Sequence, residues 1–242
     1  MSRPLLLVPP SEAKRTGGSV GAGRDLFAEH LGPQRAEVRQ ALGELLGTHE
    51  SVLARVLGVR GALLERARIA TEELVSSRAR VLAAWRRYDG VVWAHLDPAS
   101  LTPGQRRRIL VPSGLYGLNR ADDAIADYRL KMSAPLGGGR LASHWREPVS
   151  RALADYAGER VVYDLLTQEH RAALEPTLLL RTRLVRVDFV RADSGRAVGH
   201  DAKAAKGVFT RHLLDARDVA DFSWRNWRAQ REDDQVSVVL HA

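Results

Sequence analysis

The stretch Ile109-Leu110-Val111-Pro112-Ser113-Gly114-Leu115-Tyr116-Gly117-Leu118 decides the fold class of this 242-residue chain. Its apolar start predicts a central β-strand, and its serine, glycines and tyrosine predict a loop at the carboxyl end of that strand. Ligand sites in α/β proteins gather at the carboxyl ends of strands. Ser113 and Tyr116 are therefore candidate catalytic residues.

A second apolar run, Leu5-Leu6-Leu7-Val8, leads into Pro9-Pro10-Ser11-Glu12-Ala13-Lys14 and a glycine-rich loop. This order predicts a buried first strand followed by a site loop, although the spacing G-x-x-x-x-G-K-[ST] of a phosphate-binding P-loop is absent. Further strands are predicted at 91–93, 160–165, 181–190 and 236–240, a hairpin return at 196–199, and helices at 143–156 and after Asp201, which is expected to cap the second. The sequence thus predicts a mixed α/β fold with a central mixed sheet surrounded by helices, in a single domain over residues 1–242.

Residues 25–87 are predicted to form a mostly helical segment inserted after the first strand, with Pro33 and Gly47-Thr48 separating helices. The turn Gly58-Val59-Arg60-Gly61 joins two helical patterns, the second running from Ala62 to about Trp85. Such a turn resembles a helix-hairpin-helix element, in which backbone N–H groups bind a DNA phosphate because glycines permit close approach. On this interpretation, the DNA-binding residues are Gly58, Arg60, Gly61, Arg66 and Arg68. An ordinary helical hairpin in the core is the alternative.

Lysine is rare in this chain: Lys14, Lys131, Lys203 and Lys206 stand against thirty-three arginines. An amine has a pKa that its surroundings can tune, and a guanidinium does not, so the lysines are candidate catalytic groups. Lys203 and Lys206 share a helical face and are expected to lower each other's pKa, giving a general base or Schiff-base nucleophile. Compositional bias and a solvated helix face are the alternatives.

The net charge of +8 suggests a polyanionic partner or phosphorylated ligand, or else a basic surface that serves solubility. The chain has no cysteine and no apolar run of membrane-spanning length, and the run at 5–8 is too short for a signal peptide, so a cytoplasmic location is expected. His95, His144, His170 and His200 are spread singly, and the Asp122-Asp123 pair is as well explained by a helix cap, so neither a metal site nor a cofactor is expected. A monomer is favoured, although the sequence does not fix the oligomeric state.

Five motifs in order resemble the signatures of the YaaA peroxide-stress family: Pro10-Ser11-Glu12-Ala13-Lys14, Tyr88-Asp89-Gly90-Val91-Val92, Ser113-Gly114-Leu115-Tyr116-Gly117, Asp127-Tyr128-Arg129-Leu130-Lys131-Met132 and Lys203-Ala204-Ala205-Lys206-Gly207. The resemblance implies a cytoplasmic α/β single-domain protein with a helix-hairpin-helix-like element and a positively charged cleft. It also implies binding of distorted or branched duplex DNA and protection against hydrogen peroxide and iron damage. By motif position, the cleft residues are Ser11, Lys14, Ser113, Tyr116, Arg129, Lys131, Lys203 and Lys206.

Some positions depart from the family pattern. Ala13 replaces a usual glycine, and Lys131 replaces a common glutamate, which reverses the charge there. Thr167-Gln168-Glu169-His170 and 119–123 also differ. Two hypotheses follow: a protein that binds DNA without sequence specificity through phosphate contacts, or a divergent enzyme acting on a small anionic metabolite. In the second, Ser11, Arg129 and Lys131 hold the phosphate or carboxylate of the ligand.

Overall fold

A computed structural model describes residues 3–21, 23–195 and 200–241 of the chain. These residues form α-helices α1 Ala28–Leu46, α2 Glu50–Leu57, α3 Ala62–Val75, α4 Ala84–Arg87, α5 Val91–Leu96, α6 Pro103–Arg106, α7 Leu141–Ala157, α8 Gln168–Arg171 and α9 His200–Leu214. Short 3-10 helices lie at Pro176–Leu179 and Val219–Asp221. The strands are β1 Leu5–Leu7, β2 Ser19–Val20, β3 Arg80–Ala83, β4 Ile109–Ser113, β5 Gly117–Arg120, β6 Ala124–Ala126, β7 Pro135–Leu136, β8 Gly139–Arg140, β9 Val162–Asp164, β10 Leu184–Arg191, β11 Ser223–Trp224, β12 Trp227–Glu232 and β13 Gln235–Leu240.

The main sheet has eight strands in the order β11-β12-β13-β10-β9-β1-β4-β5. Its five inner strands, from β13 to β4, run parallel. Strand β5 is antiparallel at one edge, and β12 and β11 are antiparallel at the other. A smaller antiparallel sheet has the order β2-β3-β6, and β7 pairs with β8. The predicted mixed α/β fold with a large mixed sheet is therefore confirmed.

Strands β1 and β4 consist mostly of apolar residues, as expected for parallel strands that are covered on both faces. All three residues of β1 are fully buried, and so are all five of β4. Strand β4 lies second from an edge, whereas the sequence predicted a central strand, but it is as inaccessible as a central strand. The carboxyl ends of β9, β1 and β4 consequently lie side by side at one edge of a rigid core.

The inserted segment forms the helices α1, α2 and α3 and then continues as a strand and a single helical turn. Pro33 lies inside α1 rather than between helices. The helix predicted to reach Trp85 ends at Val75, where α3 gives way to β3 and the single turn α4. Strand β3 pairs with both β2 and β6, so tertiary pairing overrides the local helical pattern there.

Two other predictions are corrected. The predicted strand Val91–Trp93 belongs to helix α5, which follows Gly90 and packs against α9. Asp201 lies in the first turn of α9, which begins at His200, instead of capping that helix. The predicted hairpin return at 196–199 lies outside the described residues. Among the helices that the structure describes, none has the length and apolar character needed to cross a bilayer.

Candidate functional site

A pocket opens at the carboxyl edge of the parallel strands β9, β1 and β4. It encloses about 520 Å³, part of which is open to the surrounding solvent. The loops after β1 and β4, helix α8 after β9, the segment after β6 and the turn between α2 and α3 all contribute to its walls. We call it the Lys14 pocket and define it by Ser11, Lys14, Gly58, Arg129, Lys131 and His170.

Lys14 is the most deeply buried charged side chain of the pocket, with 7% of its surface exposed. Its amine donates to the carbonyl oxygen of Ser11 at 2.8 Å and lies 4.0 Å from the centre of the Tyr128 ring. Burial, and after it the nearby charge of Arg129, lowers the pKa of Lys14 to about 7. Protonated and neutral amine therefore coexist at neutral pH.

The loop that carries Lys14 is fixed from both sides. Lys14 forms an isolated antiparallel bridge with Tyr88, and its carbonyl accepts a hydrogen bond from Arg66 at 2.8 Å. The Ser11 hydroxyl donates to the carbonyl of Asp89. The amine thus approaches the pocket from a constrained backbone, as positioned functional groups require.

Two further cations and one carboxylate lie at the pocket mouth. Lys131 forms a 3.0 Å salt bridge with Glu12, and both side chains are largely exposed. Arg129 donates to the backbone carbonyl of Glu12. An exposed pair of this kind contributes little to stability, so an anionic ligand can displace Glu12 from Lys131 at small cost.

Glu169 and His170 form the wall beyond β9. Burial lowers the pKa of His170 to about 4, so its ring is neutral at pH 7, and its Nδ1 lies 2.7 Å from the Thr167 hydroxyl. Burial alone would raise the pKa of Glu169, but two hydrogen bonds from Ser133 outweigh it and lower that pKa. The wall therefore presents a neutral imidazole beside a charged carboxylate.

Ser113 and Tyr116 lie behind the pocket instead of lining it. Ser113 is fully buried, and its hydroxyl accepts a hydrogen bond from the Tyr116 N–H at 3.1 Å. The Tyr116 hydroxyl accepts from the N–H of Ala126 at 2.8 Å. Between them, Gly114 reaches the pocket wall, and a Cβ there would lie 2.6 Å from the carbonyl oxygen of Leu130. This loop requires glycine because it packs directly on the segment that carries Arg129 and Lys131.

The turn between α2 and α3 forms the opposite wall. Gly58 ends α2 with φ +67° and Gly61 precedes α3 with φ +56°, and these are left-handed values that glycine adopts without strain. A Cβ at Gly58 would lie 3.6 Å from Cε of Lys131, so this turn borders the lysine directly. Arg60, between the two glycines, is exposed.

Arg66 and Arg68 point away from the turn into ion pairs. Arg66 donates to a carboxylate oxygen of Asp127 at 2.7 Å. Arg68 pairs with Glu65 and Glu72 on its own helix. Of the three arginines predicted to contact DNA, only Arg60 lies in the turn itself.

Lys203 and Lys206 occupy different environments although they are one helical turn apart. Lys203 is exposed, whereas Lys206 is buried and donates to the carbonyl of Leu165. Burial, followed by the charge of Arg171, lowers the pKa of Lys206 to about 8, and Lys203 is not among the causes. The two lysines were expected to lower each other's pKa, but the pKa of Lys206 is lowered mainly by burial. Neither residue lines the pocket.

Several pocket residues were not predicted as site residues: Glu12, Tyr128, Glu169 and His170. The signal for the last two was present, because Thr167-Gln168-Glu169-His170 follows a predicted strand in the same way as Ser113-Gly114 does. In the ranges that the structure describes, no three His, Asp or Glu side chains are grouped so that they could hold a metal ion.

A pocket at the carboxyl ends of parallel strands, lined in part by amine and guanidinium groups, lies where α/β proteins commonly hold a ligand. A family model described as peroxide stress protein YaaA matches residues 5–232. A UPF0246 protein of Streptomyces coelicolor is 36% identical over 218 residues, which cover 87% of this chain and 82% of the relative. A UPF0246 protein of Corynebacterium glutamicum is 31% identical over 234 residues, covering 90% and 89%, and one of Ruegeria sp. is 31% identical over 225 residues, covering 87% and 86%. The chain belongs to the YaaA (UPF0246) family.

Proposed function

We propose that this protein acts in the cytoplasm as a peroxide-stress protein that binds the phosphate backbone of DNA at the mouth of the Lys14 pocket. The observation that carries the proposal is that Gly58 and Lys131 line the same pocket side by side, so close that a Cβ on Gly58 would lie 3.6 Å from Cε of the lysine. The exposed amine of Lys131 therefore lies beside a turn that leads into the N-terminus of α3. The N–H groups of Gly58 and Val59 already donate to the carbonyl of Ala54, so the proposed phosphate ligands are the Lys131 amine and the N-terminus of α3. Helix N-termini and lysine both favour phosphate oxygens.

The expected binding mode follows from dimensions and charge. A pocket of about 520 Å³ is far smaller than a duplex, so the duplex lies across the mouth with single phosphate groups directed inward. Arg60 and Lys131 supply the outer cations, and the net charge of +8 adds attraction at longer range. Because phosphate contacts carry no sequence information, the binding is expected to be independent of base sequence.

The test is a gel shift on linear and branched duplexes over a range of salt concentrations. Lys131→Glu places a repelling carboxylate at the mouth, and Arg60→Glu places one in the adjoining turn. Each should weaken binding by roughly tenfold or more. Lys203→Glu makes the same charge change at an exposed site outside the pocket and serves as the matched control. Binding that is insensitive to salt, or equal loss in all three variants, would contradict a backbone interface at the mouth.

The role in peroxide stress has its own test. The chain is expressed in a bacterium that lacks its own family member, and survival is counted after a pulse of hydrogen peroxide. Wild-type protein and Lys203→Glu should restore survival, whereas Arg60→Glu and Lys131→Glu should not. Rescue by all of these variants would separate peroxide protection from DNA binding.

A second candidate function is an enzyme acting on a small anionic metabolite. It is favoured by the burial of Lys14 in a pocket that a neutral His170 also lines. Thermal stabilisation by one member of a panel of phosphorylated and carboxylated metabolites, abolished in Lys131→Ala, would support it. No stabilisation by any of them, together with salt-dependent DNA binding, would favour the first function.

A further inference from the structure

Lys14 combines three properties that are rarely found together in one amine. It is buried between the Tyr88 and Tyr128 rings, with its amine 5.7 Å and 4.0 Å from their centres. Its hydrogen-bond acceptor is a neutral carbonyl, that of Ser11. Within residues 3–21, 23–195 and 200–241, it forms no salt bridge with a carboxylate, although it lines an open pocket. The charges of Asp127 and Glu12 favour the protonated amine, but burial and the charge of Arg129 outweigh them and lower its pKa.

The other pocket cations are arranged differently. Lys131 pairs with Glu12 and is 44% exposed, and Arg129 is held against the same residue's carbonyl. These two groups suit the binding of an anion, because they are charged and accessible. Lys14 suits covalent chemistry, because burial favours the neutral amine. The neutral amine is the form of lysine that attacks a carbonyl carbon.

Resting on the proposed binding of phosphate at this mouth, we propose that the amine of Lys14 condenses with the aldehyde of a phosphate-bearing ligand to form an imine. Lys131 and Arg129 hold the phosphate, and the aldehyde carbon lies deeper in the pocket, at Lys14. The ligand class is therefore an aldehyde with a phosphate group a few bonds away.

The condensation balances without a further reactant. The nitrogen lone pair attacks the aldehyde carbon and the C=O π bond breaks, which gives a carbinolamine once the oxygen is protonated. Its hydroxyl takes a proton from solvent and leaves as water, and the C=N bond forms. The products are a protonated imine and one water, and no oxidation occurs. A pKa of about 7 leaves a substantial fraction of the amine neutral at pH 7, against roughly one part in three thousand for an ordinary lysine.

Two kinds of ligand combine an aldehyde with a nearby phosphate group. One is the ring-opened sugar at an abasic site in DNA, an aldehyde flanked by backbone phosphates. The other is a free phosphorylated aldehyde, for which glyceraldehyde 3-phosphate is the probe. The two arms of the experiment use these two probes separately, each with sodium cyanoborohydride, whose hydride reduces the imine to a stable secondary amine.

The adduct is located by mass spectrometry after trypsin digestion. The chain has only four lysines, and modification of Lys14 blocks cleavage there. Because trypsin does not cleave the Arg3–Pro4 bond, peptide 1–15 stays intact with the added mass. The N-terminal amine, whose pKa is ordinarily near 8, is the competing nucleophile in the same peptide, and fragment ions distinguish the two sites. The expected result is an adduct at Lys14 that exceeds those at Lys131, Lys203 and Lys206 by at least about tenfold. Equal labelling of all amines, or none at Lys14, overturns the proposal.

Adduct formation in variants is a second, independent test. Lys14→Met removes the amine, Lys14→Arg keeps a cation that does not form an imine, and Lys203→Arg is the control outside the pocket. Both Lys14 variants should lose the adduct and Lys203→Arg should keep it. Folding of each variant is checked by circular dichroism, and the mapping on wild-type protein decides the question even if both Lys14 variants unfold.

The proposal fails separately from the proposed function. A gel shift on intact duplex with no Lys14 adduct from either probe overturns the imine and leaves DNA binding in place. An adduct only with the abasic duplex assigns the DNA source, and an adduct only with glyceraldehyde 3-phosphate assigns the small molecule. Loss of the gel shift on intact duplex, with the small-molecule adduct retained, overturns DNA binding and leaves the imine in place.

Discussion

At the scale of single residues, the structure divides the four lysines by burial. Lys14 and Lys206 are buried, and Lys131 and Lys203 are exposed. The rarity of lysine in this arginine-rich chain predicted that all four lysines are functional groups, and two of them line the pocket. The sequence did not predict which amine would be desolvated, because burial of Lys14 depends on aromatic rings at Tyr88 and Tyr128, which are more than seventy positions away.

The lowered pKa of Lys14 predicts how stability depends on pH. The unfolded chain has a lysine pKa of 10.5 and the folded chain about 7, so the unfolded state binds more protons between these values. The free energy of unfolding should therefore rise with pH through this window, by at most about 1.4 kcal/mol per pH unit for each such group. Lys206, with a pKa of about 8, adds to the rise above its own pKa.

Lys14→Met should reduce this slope by about half above pH ~8, because one of the two buried amines is removed. The measurement is urea denaturation of the wild type and the variant at several pH values up to ~9.5, below the range in which tyrosines ionise. An identical slope in the variant would mean that the Lys14 amine stays protonated in the folded state.

At the scale of elements, the helical hairpin α2–α3 shows what sequence patterns can and cannot predict. The turn at Gly58–Gly61 was predicted from its glycines, and both of them have a positive φ. The roles of Arg66 and Arg68 were not predictable, because their partners are set by packing: Asp127 lies sixty-one positions away from Arg66. Helix α5 was wrongly predicted as a strand since Val91-Val92-Trp93 has high strand propensity, which contact with α9 overrides.

The hairpin also yields a prediction that compares two arginines eight positions apart. Arg60 is exposed in the turn, whereas Arg68 forms salt bridges with Glu65 and Glu72. Arg60→Ala should weaken DNA binding and reduce by about one the slope of log affinity against log salt. Arg68→Ala should leave that slope unchanged. Fluorescence anisotropy of a labelled duplex at several salt concentrations measures both, and equal slopes in the two variants would place the phosphate contact elsewhere.

At the scale of the whole molecule, strand order explains the position of the site. Because β9, β1 and β4 are adjacent and parallel, the loops that follow them meet at one edge. The Ser113-Gly114 and Ser11–Lys14 loops, each following an apolar run, predicted a site at the carboxyl ends of strands. It did not predict that the α2–α3 turn would complete the same pocket, since that depends on how α1, α2 and α3 pack on the core.

That packing predicts how the molecule unfolds. Val38 of α1, Leu53 of α2 and Leu64 of α3 belong to the same buried cluster as the inner strands, so the inserted helices are expected to unfold together with the sheet in one transition.

The positions of the tryptophans allow a test, because α1, α2 and α3 contain no tryptophan and all five tryptophans lie from Trp85 onward. Tryptophan fluorescence therefore reports on the part of the chain after α3. Circular dichroism at a helix-sensitive wavelength reports on all the helices, and α1, α2 and α3 supply nearly half of the residues in the described α-helices. The two urea curves should superimpose. An earlier loss of helical signal would mean that the inserted helices form a separate unit, and the Lys14 pocket would then lose one wall before the sheet unfolds.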